Sequence, residues 1–145
     1  MKVDKAWTWA LTAAGFLQVG MAIAHFGLQY EWRGVDGGSF PPQLRWALFA
    51  LNFSWSTLVL LLGGLTVYAA RLHPTTELVR TLVLIVAVFW TIHGVYMVVE
   101  PMPVPQRLAW IQGPIVAFPA TVILLLGVSL LSTRTARKTA AGAMA

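Results

Sequence analysis

Apolar residues run along this chain in four long stretches, roughly 6–30, 46–70, 78–99 and 108–131, separated by short polar breaks. Each exceeds the ~20 residues a helix needs to cross a ~30 Å hydrocarbon core. The one charged residue within them is Arg80, near the start of the third. A helix satisfies its own backbone hydrogen bonds in lipid and an open strand does not. The pattern therefore predicts an all-α integral membrane protein, a bundle of four transmembrane helices forming a single domain over 1–145.

The breaks carry turn chemistry. Residues 34–42 are rich in Gly and end in Pro41-Pro42, and His73-Pro74-Thr75-Thr76 offers a Thr as N-cap for the third helix. Pro101, Pro103 and Pro105 stiffen the third connection. Residues 132–145 read as a flexible basic tail.

Composition agrees. Of 145 residues, 58% are apolar and 10% charged, with a mean hydropathy of +0.73, against about 45–50% and about 25% in soluble domains. The absence of cysteine removes disulfides, thiolate nucleophiles and Cys-ligated metals. The net charge of +5 does not point to nucleic acid, because the basic residues flank the apolar runs. With both termini on one side, that side holds Lys2, Lys5, Arg71, Arg80, Arg134, Arg137 and Lys138, and the other holds Arg33, Arg45 and Arg107. The excess of basic residues places both termini in the cytoplasm, in what we read as a plasma membrane. Trp32, Trp46 and Trp110 then mark the outer interface, and Trp7 and Trp9 the inner one.

Two organisational readings accompany this one. Lys2 and Lys5, an apolar run and Ala22-Ile23-Ala24 also resemble a signal peptide, whose cleavage after residue 24 would leave His25 as a new N-terminus. The apolar run, however, continues past Ala24. Second, Pro42-Gln43-Leu44-Arg45-Trp46 and Pro105-Gln106-Arg107-Leu108-Ala109-Trp110 are similar, and each follows a helix with one His and a nearby Glu. Two tandem helical hairpins would produce that pattern, as would interfaces that independently select Pro, Arg and Trp.

Polar residues inside the spans fall at one depth. His25 lies six residues before Glu31, His93 seven before Glu100, Asn52 seven past Arg45 and Gln112 five past Arg107. These spacings place all four on the order of 10 Å below the outer boundary, while the inner halves read as almost wholly apolar. Helical spacing gives them same-face companions: Gln29 for His25, Ser56 and Trp55 for Asn52, and Trp90, Tyr96 and Glu100 for His93. Ionisable groups in a bilayer are costly and face the bundle interior. The expectation is an outer-leaflet cavity around His25 and His93, lined by Asn52, Trp55, Trp90, Tyr96, Gln112, Gln29 and Ser56. Packing is the alternative. Asn, Gln and Ser also serve as interhelical glue, Trp55 and Trp90 as core, and Tyr96 as an interface anchor.

Three functions suit such a belt. The first is a site for a lipid-like or isoprenoid small molecule entering from the bilayer. If the site is catalytic, His93 or His25 would move a proton, with Glu100 the one candidate acid. The second is a non-catalytic subunit of a larger membrane complex or a homo-oligomer, with small residues such as Gly63-Gly64 and Ala10, Ala13 and Ala14 allowing close helix contacts. The third is a b-type haem held by His25 and His93 on parallel, diagonal helices, with Gly27 and Gly94 relieving crowding. Without haem, no metal is implied.

Overall fold

The computed structural model describes residues 5–35, 41–72, 77–100 and 112–142, with side chains to residue 27 in the first helix and to 132 in the last. They form four helices: α1 (Lys5–Val35), α2 (Pro42–Arg71), α3 (Glu77–Val99) and α4 (Gln112–Gly142). All four are long and apolar enough to cross a membrane, and the chain is an integral membrane four-helix bundle. The loop tips, the Thr75/Thr76 cap, Trp110 and the side chain of Trp32 lie outside the described residues.

Local chemistry sets the described ends. Pro41 is extended and its carbonyl accepts the first α2 bond from the Arg45 N–H at 3.0 Å. Pro42 takes the first helical position, where its missing N–H costs nothing. Leu72 ends α2 in an extended conformation, and Glu77 sits at the electropositive start of α3. α4 continues as helix beyond Ser132 to Gly142, through most of the expected tail. Ala, Lys and Arg in that stretch are good helix formers.

Each helix buries one stripe at three- and four-residue spacing: Trp7, Leu11, Ala14, Gln18 and Ala22 in α1; Ser56, Val59, Gly63 and Thr66 in α2; Val79, Val83, Val86 and Trp90 in α3; Pro119, Val122, Leu126 and Ser129 in α4. The opposite faces turn Leu51, Leu84, Ile85 and Leu124 outward, each more than half exposed. That surface needs lipid as its solvent.

The helices form a ring in which α1 packs most extensively on α2, then on α4, while α3 packs on α4. α2 and α3 meet sparsely, and α1 and α3 stand on a diagonal. The α1–α2 contact is close because two glycines face each other. A methyl group on Gly15 would stand 2.9 Å from the Gly63 carbonyl oxygen and from the Val67 nitrogen; one on Gly63 would stand 3.0 Å from the Gly15 oxygen. α3 and α4 cross where Gly94 receives Pro119, 3.2 Å from a Cβ built on the glycine. Gly94 therefore makes room for a neighbouring helix, and the Cβ position of Gly27 is open, with nothing within 4 Å.

Gly15→Ala meets backbone atoms that cannot move aside, and should destabilise the bundle by about 1–3 kcal/mol. Gly64→Ala, at an open position, should be neutral or mildly stabilising. Thermal unfolding of both variants in the same detergent checks the difference.

Candidate functional site

The belt begins with a pair. Asn52 of α2 donates from Nδ2 to the His25 backbone carbonyl at 2.9 Å, and its Oδ1 lies 3.2 Å from His25 Nδ1 on α1. The first contact orients the amide, so Oδ1 faces the ring as an acceptor. Nδ1 must then carry the proton, and in the neutral ring Nε2 keeps its lone pair. Ser56 donates to the Asn52 carbonyl at 2.7 Å, which spends its proton within α2.

One turn along α2, Trp55 reaches the other histidine. Its ring lies 4.6 Å from His93 and 5.4 Å from Phe89, both on α3. Trp90 meets His93 at 5.5 Å and Phe118 of α4 at 5.1 Å. Both histidines are half-buried rather than enclosed. A recess of about 260 Å³ opens beside His93, lined by Trp55, Phe89, Ile92 and Tyr96. It sits on the sparse α2–α3 seam, and Ile92 and Tyr96, 67% and 60% exposed, place it on the lipid-facing side. A larger recess of about 510 Å³ lies along the first turns of α1, at the other end of the bundle, and contains none of the belt's groups.

Three helices thus supply the belt, and α4 does not supply the expected polar residue. Gln112 is the first residue of α4 and exposed. It precedes Pro119 by seven residues, about 10 Å along the axis, and Pro119 packs beside His93 at Gly94. Gln112 is therefore at the rim. Glu100 follows the end of α3, exposed, with its N–H bonded to the Tyr96 carbonyl at 2.8 Å. It too is about 10 Å from the His93 level, so among the described residues no carboxylate faces either histidine. The Gln29 side chain lies outside the described residues.

Spacing from the charged boundaries did not reveal Gln18. Fully buried in α1, it donates from Nε2 to its own Ala14 carbonyl at 3.1 Å and to Thr66 Oγ1 of α2 at 3.3 Å. It accepts the Trp90 indole N–H at 2.9 Å across the diagonal. Trp90, 1% exposed, is a core residue fixed by this bond rather than a wall of the recess. The available signal was the i+4 step along the buried stripe from Ala14 through Gln18 to Ala22.

The recess beside His93 is smaller than the ~300–1,000 Å³ of ordinary ligand pockets, which weighs against a haem there, although the Asn52 contact at Nδ1 leaves Nε2 of His25 as the nitrogen a metal would use. No group of three or more metal-ligating side chains occurs among the described residues. The chain matches no family model, no curated protein and no solved structure.

Two measurements test this geometry. Nitrogen-15 NMR of the imidazoles should show His25 as the Nδ1–H tautomer, and Asn52→Leu should yield a mixture. Gln18→Leu strands the Trp90 N–H and should cost about 1–3 kcal/mol. In Gln18→Leu combined with Trp90→Phe, the loss should be smaller than the sum of the single changes, by about 0.6–1.7 kcal/mol in a thermodynamic cycle.

Proposed function

We propose that this is a plasma-membrane protein that binds a lipid-like or isoprenoid small molecule in the recess beside His93, entering sideways between α2 and α3. The observation that carries the reading is a polar imidazole flanked by Trp55, Phe89 and Tyr96 in a recess on the lipid-facing side. The surrounding seam is the least packed in the bundle, which gives an apolar molecule a route without passage through water. Basic residues support an orientation with both termini in the cytoplasm. Lys5, Arg71 and Arg80 share the end opposite the belt, and Arg45 starts the other. The belt then lies in the outer leaflet.

Glu100, the expected acid, stands at the rim about 10 Å from the His93 level, which weighs toward binding rather than acid–base catalysis through it. For the accessory-subunit reading, Ala10, Ala14 and Gly63 make their close contacts within the bundle, while Gly64 faces outward with open space at its Cβ position.

A diazirine-bearing farnesol, photolysed with the protein in nanodiscs, should label peptides carrying Trp55 and residues 89–96. Trp55→Ala and His93→Ala should each reduce that labelling about tenfold, the effect of ~1.4 kcal/mol, with unfolding temperatures held within a few degrees. Labelling spread evenly over lipid-facing positions such as Leu84 and Leu124 would overturn the proposal.

A further inference from the structure

We infer that the belt selects a neutral, hydroxyl-bearing headgroup, with His25 Nε2 as its hydrogen-bond acceptor and the apolar body of the molecule seated in the aromatic recess. This rests on the binding reading above and specifies its ligand class. The acceptor role follows from the locked amide. Asn52 donates to the His25 carbonyl, which turns its oxygen toward Nδ1 and leaves Nε2 to accept. Among the described residues, Nε2 has no partner.

His25 is linked to the recess through α2: its partner Asn52 lies one turn from Trp55, whose ring packs on His93 in the recess wall. The groups described there carry no fixed charge: amide, imidazole, indole, phenyl and phenol. The nearest described cation on α2, Arg45, is seven residues or about 10 Å from Asn52. The nearest described carboxylate on α3, Glu100, is equally far from His93. A phosphate would lose its hydration there without a counter-charge, and an ammonium would do the same without a carboxylate. A hydroxyl loses far less on leaving water, and its proton matches the Nε2 lone pair, which no described residue takes. The recess volume of about 260 Å³ admits a headgroup and its first chain segment and leaves the remaining tail in lipid.

The test is competition against the photolabel in nanodiscs by farnesol, farnesyl diphosphate, farnesylamine and the hydrocarbon farnesene. Farnesol should protect the recess at about three- to tenfold lower concentration than farnesene, the range expected of one hydrogen bond, and the charged analogues should protect least. His25→Phe should erase the advantage of farnesol over farnesene. Asn52→Leu, which keeps the imidazole and frees its tautomer, should reduce it in part and so guards against a folding artefact in the first variant. Equal protection by farnesol and farnesene, or stronger protection by either charged analogue, overturns the hydroxyl assignment and leaves the binding site standing. If the recess takes no label at all, the binding reading itself fails.

Discussion

A bilayer offers helices no hydrophobic reason to associate, since lipid tails are as apolar as leucine, and a buried amide there must find its partners inside the protein. Gln18 is that amide. Its nitrogen reaches its own helix and α2, and its oxygen reaches α3 across the diagonal. No apolar residue at the position could tie three helices to one register, because dispersion contacts tolerate sliding and hydrogen bonds do not. The depth of Trp90, and with it the position of His93 one turn further along α3, follows from this one side chain.

Close packing supplies the complementary constraint. Gly15 against Gly63 brings α1 and α2 within backbone contact, and Gly94 receives Pro119 between α3 and α4. With the α1–α4 contact, which is as extensive as α3–α4, these seams join the four helices on three sides of the bundle. The α2–α3 side remains loose and is filled by rings rather than by backbone approach. The recess beside His93 lies on this side, and another, of about 350 Å³, opens beside Gly94 between α3 and α4.

The belt's chemistry emerges from this division. His25 and Asn52 belong to the tight seam, and their reciprocal contacts fix a proton on one ring nitrogen. His93 belongs to the loose seam and is held by aromatic faces. Two histidines at one depth thus occupy unlike environments, one hydrogen-bonded and one stacked. A ligand with a polar head and an apolar body would engage each for what it offers.

Four spans, their polar breaks and the common depth of His25, Asn52 and His93 were legible in the sequence, because spanning length and helical rise translate directly into residue counts. Same-face spacing also identified Trp55 and Ser56 as companions of Asn52, and Trp90 and Tyr96 as companions of His93. Counting along single helices could not show which helix faces which. It therefore placed Gln112 level with the belt, although α4 enters with Gln112 at the rim, and offered Gly94 to a macrocycle, although Pro119 of α4 fills that space. It also passed over Gln18, whose importance lies in Thr66 and Trp90, 48 and 72 residues away. Depth is a property of one helix and its solvent, so the sequence determined it. Partnership is a property of packed surfaces distant along the chain, so only the tertiary structure decided it.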